Sequence, residues 1–249
     1  MGEFSGIKAI WYRELLVFRR EWMEILSAII TPLVWIVLFG TGLGSRVEID
    51  GLNYRTFVYP GIIVQSILFT SIFYGTYLIW DRKVDLLKEV MVAPITRFSM
   101  FLGKVLGGAN RPLVQVMVLL AIAGFFGIHV GIANALLVLV FAVLLVVSMT
   151  SIGLIIGSRM ENAEAFSLIF SLVMYPMFFI SGALFPVDNL PGWLALLNKI
   201  DPATYAVDAF RELLLGTRHF GLVTDFIVLT AFAALFLAIG AKSFEGMKA

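Results

Sequence analysis

Five long stretches without a single Asp, Glu, Lys or Arg constrain the fold of this chain more than any other feature. They cover residues 25–45, 56–80, 112–158, 165–187 and 226–241. A helix needs roughly 20 mostly apolar residues to cross the hydrocarbon core of a bilayer. Stretches of this kind, one after another along the chain, therefore predict several membrane-spanning helices.

The number of spans follows from the lengths of these stretches. The third is long enough for two helices, and the glycines, histidine and asparagine of GIHVGIAN (127–134) predict a turn between them. The last is short, so its span is extended back to about Leu222, which places Asp225 at the membrane interface. The sequence thus predicts an all-α integral membrane protein in which residues 1–249 form one domain. Its six spans are expected at about 25–45, 57–80, 110–128, 134–157, 165–185 and 222–241.

Composition agrees with this fold and excludes several functions. Hydrophobic residues make up 60% of the chain and charged residues 14%, whereas ordinary soluble domains are about 25% charged. The net charge of +1 gives no concentrated basic face for a nucleic acid. The chain has no cysteine and only two histidines, so no metal site is expected.

Catalysis by the chain itself is not expected either. No acid and base pair stands out at helical spacing. The Gly103-Lys104 pair lacks the upstream glycine and the following Ser or Thr of a phosphate-binding loop. We therefore predict no catalytic residue and no cofactor bound by this chain. Because no span carries a charge near its middle, an ion-coupled carrier is disfavoured.

The distribution of basic residues predicts the orientation. With both termini in the cytoplasm, the inside segments hold 13 of the 18 Lys and Arg residues and the outside segments hold 5. We therefore expect a multi-pass protein of the plasma or inner membrane with cytoplasmic N- and C-termini.

The first 24 residues have the pattern of an amphipathic helix. Apolar residues recur every three or four positions, while Lys8, Arg13, Arg19 and Arg20 lie off this stripe. Residues 1–24 are therefore expected to lie in the membrane plane, either as a simple anchor or as a brace for a cytoplasmic partner. The stripe consists of Phe4, Ile7, Trp11, Leu15, Phe18 and Trp22.

The polar segment between the second and third spans, residues 81–103, contains a second amphipathic pattern. Val84, Leu87 and Met91 share one helical face, and Pro94 disfavours helical geometry at the residue before it. A short helix is expected here, presenting a rigid knob to the cytosol. The alternative is a solvated loop.

The outer segment between the fifth and sixth spans, residues 186–216, begins where Gly182 and Pro186 break the fifth helix. Pro202 divides the rest of the segment into two amphipathic pieces, and each piece is too short to span a bilayer. We expect two re-entrant helices that enter the outer leaflet partway and return, with Trp193 and Tyr205 at the interface. The alternative is an ordinary surface loop with interfacial helices.

Both polar segments resemble those of type-2 ABC transporter permeases, in particular the daunorubicin-resistance and nodulation lipo-oligosaccharide export permeases. The inner segment is LLKEVMVAPITRFSMFLGKVL (86–106), and the outer one is FFISGALFPVDNLPGWLALLNKIDPATYAVDAFRE (178–212). The similarity extends over essentially the whole chain. The matching inner residues are Pro94, Arg97, Gly103 and Lys104. The matching outer residues are Ser181, Gly182, Phe185, Pro186, Leu190, Pro191, Trp193, Pro202, Tyr205, Asp208 and Arg211.

The resemblance implies a half-transporter that pairs with a second copy, expected to be identical, and with two separate ABC subunits that bind ATP and Mg. The inner knob would be the coupling helix received by the ATP-binding subunit. Its implied coupling residues are Val84, Leu87, Lys88, Glu89, Met91, Pro94 and Arg97.

The resemblance also implies that the second and fifth spans line a path between the two copies, and that the outer pieces form its gate. From the residues alone, the aromatic stripes of these spans could equally serve packing, and Gln65 could serve an interhelical hydrogen bond. The implied path residues are Gln65, Phe69, Phe73, Tyr77, Phe166, Phe170 and Phe178. The implied gate residues are Ser181, Gly182, Phe185, Pro186, Pro191, Trp193, Tyr205, Asp208 and Arg211.

The function implied by the resemblance is the permease subunit of an ATP-driven exporter of a hydrophobic drug, a lipid or a lipid-linked glycan. A secondary carrier and an integral membrane enzyme acting on lipids are the alternatives.

Overall fold

The described part of the chain is almost entirely helical. A computed structural model describes residues 3–42, 47–49, 51–87, 92, 95–188 and 190–247. A two-stranded antiparallel hairpin, β1 (Glu48–Ile49) and β2 (Leu52–Asn53), precedes the third helix. The helices are α1 (Glu3–Arg20), α2 (Trp22–Gly42), α3 (Tyr54–Phe73), α4 (Gly75–Lys83), α5 (Arg97–Ile122), α6 (Ile132–Arg159), α7 (Ala163–Ile180), α8 (Gly192–Ile200), α9 (Pro202–Leu215) and α10 (Leu222–Glu245).

Within the described ranges, six helical segments are long and apolar enough to cross a membrane. The prediction of an all-α fold with six candidate spans is therefore confirmed. Two segments combine neighbouring elements: α3 continues into α4, and α5 continues into a 3-10 turn at Ala123–Phe126. The third segment begins at Arg97, well before its expected span, so the first turns of α5 belong to the polar segment 81–103. The six segments are Trp22–Gly40, Tyr54–Lys83, Arg97–Phe126, Ile132–Arg159, Ala163–Ile180 and Leu222–Glu245.

The helices differ in how much apolar surface they bury inside the bundle. In its most apolar part, the second span has 78% of its residues buried, whereas the first span has 11% and the fifth has 22%. The helix pair α3–α4 is therefore the centre of the bundle, and α2, α7 and α10 are peripheral, since the sixth span has only 17% of its residues buried. Their outward apolar faces suit contact with lipid or with another protein.

Glycines let the central helix pair approach α6 closely. A Cβ added to Gly153 would overlap the carbonyl oxygen of Ile72, and one added to Gly157 would overlap that of Gly75. Small residues at such crossings allow backbones in a membrane to come within van der Waals contact. This crossing fixes α4 against the middle of the bundle.

The first helix packs along the beginning of α5. It buries Gly6, Ile10 and Glu14, and Gly103 of α5 leaves room for Ile10, since a Cβ there would lie 2.6 Å from the isoleucine Cβ. The buried face is therefore not the expected apolar stripe, whose first member, Phe4, is exposed. Trp22, its last member, is also exposed, and the four members between them are half-buried, so the stripe is only partly covered by the bundle.

We call the end of the bundle where α1 packs the α1 end, and the opposite end, which contains α8 and α9, the α9 end. The last turns of α10 also lie at the α1 end, where Gly240 and Phe244 pack against Phe101 of α5. The beginning and the end of the described helical chain are therefore on the same side of the bundle.

Candidate functional site

The implied coupling residues are only partly described. Val84 is exposed just beyond α4, Leu87 is buried, and half-buried Arg97 begins α5. The start of α5 is fixed by Thr96, whose hydroxyl accepts the backbone N–H of Ser99 at 3.1 Å. Coupling therefore remains a prediction for this segment. The residues Lys88, Glu89, Met91 and Pro94 lie outside the described residues.

Four charged side chains meet at the α1 end, and we call them the four-charge network: Arg13 and Glu14 of α1, Asp81 of α4 and Lys104 of α5. The Lys104 Nζ lies 3.1 Å from Glu14 Oε1 and 2.5 Å from Asp81 Oδ2. Arg13 pairs with the same two carboxylates, in each case at 2.9 Å. The hydroxyl of Tyr74 donates to the other oxygen of Glu14 at 2.7 Å. The network thus joins α1 to the two helices that enter and leave the segment between Lys83 and Arg97.

Charge and burial act against each other in this network. Burial by itself would lower the pKa of Arg13, but its hydrogen bond and charge contact with Asp81 outweigh burial and raise that pKa. Lys104 is 2% exposed, and Glu14 is also buried. Buried charges are tolerated where partners compensate them. Each charge in this network therefore depends on the others, and the loss of one destabilises its partners.

A second polar group, the Arg111 cluster, lies beside the first. Arg111 of α5 pairs with Glu21 and Glu24, each at 2.8 Å, and Tyr77 of α4 lies within hydrogen-bond distance of all three. Tyr77, expected to line the path, is therefore committed to this cluster. One arginine faces two carboxylates, which gives the cluster a net negative charge.

A cleft of about 370 Å³ extends from the Arg111 cluster into the bundle. It lies between α2, α3, α5 and α7, and Gln65, Phe69, Phe73 and Phe170 all line it. Four of the seven implied path residues are therefore brought together. The others do not line it: Tyr77 belongs to the Arg111 cluster, and Phe166 and Phe178 are buried.

Aromatic rings form one wall of the cleft. Phe170 of α7 packs edge to face against Phe69 at 5.9 Å and against Phe73 at 5.5 Å between ring centroids. Trp35 of α2 also lines the cleft. The same rings thus pack with one another and face the cleft, and lining of a transport path stays a prediction.

The two glutamines of this region behave differently. Gln115 donates a hydrogen bond to the carbonyl of Ala28 and accepts one from Thr70 at 3.1 Å, so it joins α5 to α2 and α3. Gln65 is 4% exposed and lines the cleft, yet its carboxamide makes no hydrogen bond within the described part of the chain. The interhelical hydrogen bond expected as the alternative role of Gln65 is not formed with any described residue, and Gln115 makes such bonds in its place.

At the α9 end, the chain turns sharply after α7. Gly182 has a φ of +80°, and its carbonyl accepts a hydrogen bond from Arg211 of α9 at 2.9 Å. Asn198 of α8 donates to the carbonyl of Ile180 at 2.7 Å, and Tyr54 of α3 donates to that of Leu184 at 3.1 Å. Three other helices therefore hold this turn in place.

The implied gate residues are divided between this turn and the two short helices. Asp208 of α9 is buried and accepts three backbone N–H groups, from residues 219–221, which connects α9 to the start of α10. Trp193 of α8 is exposed, and Tyr205 of α9 is buried and donates to the carbonyl of Lys199 at 2.7 Å. Of the remaining residues, Ser181 is buried in the turn, Phe185 and Pro186 are half-buried after it, and Pro191 is exposed before α8.

Two aspartates at the α9 end are buried. Asp201 caps α9 by accepting the N–H of Ala203 at 2.9 Å, and burial raises its pKa to about 8 against the lowering effect of that N–H. Asp225 lies in the first turn of α10, where other side chains bury it fully, and its expected position at the membrane interface stays a prediction. Neither of its carboxylate oxygens has a hydrogen-bond partner among the described residues. Within the same part of the chain, no three His, Asp or Glu side chains are grouped so that they could hold a metal ion.

Sequence reasoning did not identify the four-charge network. Its members come from three separate parts of the sequence: Arg13 lies 68 residues before Asp81, and Asp81 lies 23 residues before Lys104. No spacing along one helix therefore connects them. A usable signal was the glycine at 103, because the small residue beside Lys104 allows another helix to come close.

Comparison with known proteins agrees with this architecture. Residues 5–215 match the sequence model of the ABC-2 type transporter family. The chain is 30% identical over 245 residues to the inner membrane transport permease YadH of Escherichia coli K12, covering 94% of this chain and 92% of that protein. It is 26% identical over 236 residues to nodulation protein J of Rhizobium meliloti, covering 92% and 90%. It is 24% identical over 215 residues to the daunorubicin resistance ABC transporter permease protein DrrB1 of Streptomyces coeruleorubidus, covering 84% and 75%.

Proposed function

The chain belongs to the ABC-2 type transporter family and is a multi-pass membrane permease of an ABC transporter; from this premise we propose that it exports cargo with energy from separate ATP-binding subunits. The cargo is a hydrophobic drug, a lipid or a lipid-linked glycan. One relative is named for daunorubicin resistance, which supports a drug as one class of cargo.

The orientation we propose places the α1 end in the cytoplasm. The excess of Lys and Arg in the segments assigned to that side supports it. The position of α1 and of the last turns of α10 at one end is consistent with an even number of crossings.

The four-charge network is the observation that carries the proposal. It joins α1, α4 and α5 through buried ion pairs, and α4 and α5 are the helices on either side of the segment between Lys83 and Arg97. If an ATP-binding subunit moves that segment, the ion pairs make α1, α4 and α5 move together. Arg82 extends this connection, since it donates to the carbonyls of Met160 at 2.6 Å and Ser158 at 3.1 Å at the end of α6.

A movement of α4 and α5 would reach the cleft directly. Arg111 and Gln115 of α5 line the cleft, and α3 continues directly from α4 toward the α9 end. Rigid helices that tilt together would change the width of the cleft and the position of the turn at Gly182. In our proposal this turn, with α8 and α9, is the outer gate.

We test coupling with Arg97→Ala in proteoliposomes that contain the permease and its ATP-binding subunit. The variant is expected to retain the bound subunit and hydrolyse ATP while losing most ATP-dependent export, because Arg97 begins the helix that leaves the coupling segment. The matched control is Lys242→Ala, which removes an exposed charge near the end of α10. Equal export by the two variants would contradict the coupling assignment, and export driven by an ion gradient without nucleotide would indicate a secondary carrier.

A further inference from the structure

The cleft between α2, α3, α5 and α7 has the size and lining of a small-molecule site. Its volume of about 370 Å³ lies within the range of roughly 300–1,000 Å³ found for pockets that bind drug-sized ligands. Such pockets combine apolar and aromatic walls with a few polar groups that fix orientation. A cargo with a large glycan would not fit inside it.

The walls favour a flat aromatic body. Four aromatic side chains line the cleft: Trp35 of α2, Phe69 and Phe73 of α3, and Phe170 of α7. Aromatic rings prefer offset or edge-to-face contact with other rings, so a planar ring system gains more here than a flexible acyl chain of equal area.

The interior contains an unused polar group. Gln65 lines the cleft and makes no hydrogen bond to any described residue, so its carboxamide is available to a ligand in the cleft. A polar atom on the body of a ligand would satisfy it. Gln65 therefore favours a ring system that carries a hydrogen-bonding substituent.

The mouth of the cleft at the α1 end is negatively charged. Glu24 is 53% exposed and lines the cleft, and its Oε2 meets both Arg111 and Tyr77. Its Oε1 makes no hydrogen bond to the described residues. With Glu21 on the same arginine, the cluster has one more carboxylate than it has guanidinium groups. A cationic group on the ligand would complete this arrangement.

From these features we infer that the cleft binds a cationic amphiphile with a flat aromatic body, whose cation lies at Glu24 and whose ring substituent meets Gln65. Binding follows from the cleft alone. The further statement that such molecules are cargo rests on the proposed function.

The test uses the purified permease in nanodiscs, without an ATP-binding subunit, and three fluorescent dyes of similar size. Rhodamine 6G is a planar cation, Nile red is planar and neutral, and 1-anilinonaphthalene-8-sulfonate is an anion. Fluorescence polarisation is corrected for partition into empty nanodiscs. We expect rhodamine 6G to bind most tightly and the anion to bind most weakly.

Two substitutions assign the dye to the cleft. Glu24→Gln should weaken rhodamine 6G binding about tenfold and change Nile red binding less than about twofold, because only the charge contact is lost. Gln65→Leu should weaken both dyes, since both carry hydrogen-bonding atoms on the ring system. The matched control is Glu161→Gln, an exposed carboxylate outside the cleft, which should leave all three dyes unaffected.

The outcomes separate this inference from the proposed function. If the three dyes bind equally, or if Glu24→Gln leaves rhodamine 6G binding unchanged, the inference is overturned. Retained Nile red binding shows that Glu24→Gln is folded. If rhodamine 6G binds as expected but is not exported by the ATP-driven complex, the cleft assignment stands and only its role in export fails.

Discussion

Lys104 shows how much a single residue can contribute to this bundle. It is among the large side chains that are completely buried, and its ammonium group lies between Glu14 and Asp81. Removing a charge from such a site leaves its partners buried and uncompensated, which costs about 3–5 kcal/mol. Lys104 therefore stabilises the bundle by neutralising these two carboxylates.

We predict that Lys104→Met lowers the free energy of unfolding by about 3–5 kcal/mol, because Arg13 alone then faces two buried carboxylates. Thermal unfolding in detergent measures the effect. The exposed Lys242→Met is the control and should change stability by less than about 0.5 kcal/mol. A double variant with Glu14→Gln should be more stable than the sum of the single losses implies, and strict additivity would contradict the network.

Asp201 gives the α9 end a pH-dependent stability. Burial raises its pKa to about 8 in the folded protein, compared with about 3.9 in an unfolded chain. Between these values the folded protein keeps a proton that the unfolded chain releases. The contribution of Asp201 to stability is therefore fully present below about pH 4 and is lost as the pH rises through about 8.

We expect Asp201→Asn to remove this dependence, because asparagine caps a helix as well as aspartate but does not ionise. Unfolding temperatures measured from pH 5 to 9 should fall less in the variant than in the unsubstituted protein. Asp201→Ala should be less stable than Asp201→Asn by about 1 kcal/mol at every pH, since it lacks the cap and neither variant ionises there. A parallel decline in the unsubstituted protein and in Asp201→Asn would refute the role of this carboxyl group.

At the level of elements, the turn after α7 is the part most sensitive to backbone geometry. Gly182 has a positive φ, and a Cβ on it would lie 2.6 Å from a methyl group of Val187. An L-residue at this position is strained whatever its size. The hydrogen bonds from Arg211, Asn198 and Tyr54 to this region prevent the turn from moving elsewhere.

Gly182→Leu should therefore impair export at least tenfold while the ATP-binding subunit remains bound, because the strain falls at the α9 end and the proposed docking segment is at the α1 end. Export and subunit retention are measured on the same proteoliposomes. Gly192→Leu is a suitable control, since a Cβ at that position, at the start of α8, meets nothing within 4 Å. Normal export by Gly182→Leu would exclude the turn from the gate.

The sequence predicts the spans better than the contacts between helices. Charge-free stretches follow directly from the cost of placing charge in a bilayer, so six spans could be recognised without knowing what packs where. The buried face of α1 could not be recognised in this way. The apolar stripe of α1 predicts contact with a membrane, whereas the residues that pack against α5 are Gly6, Ile10 and Glu14. The cleft depends on residues from four helices, and only its aromatic members had a visible spacing.

On the scale of the whole molecule, the bundle is unevenly covered. The helix α7 carries exposed apolar residues at steps of three and four, a face that one copy of the chain leaves open. The helix α2, which also borders the cleft, is similarly uncovered. The helix α10 is equally uncovered, but of these three only α2 and α7 border the cleft, and the resemblance implies a path between two copies beside the fifth span. We therefore propose that a second copy packs against α2 and α7 rather than against α10. The exposed residues of α7 are Leu168, Leu172, Tyr175 and Phe179.

The absence of cysteine from the sequence makes this pairing directly testable, because a single introduced thiol can form a disulfide only with its counterpart on another copy. We predict that Leu172→Cys gives a disulfide-linked dimer when native membranes are oxidised, since this position lies on the open face of α7. Ile227→Cys, exposed on α10, should stay monomeric. Cross-linking within a stable pair does not depend on protein density in the membrane, whereas cross-linking by collision does, so each yield is measured at two expression levels. Efficient cross-linking at 227 instead of 172 would place the second copy against α10 and overturn the proposed arrangement.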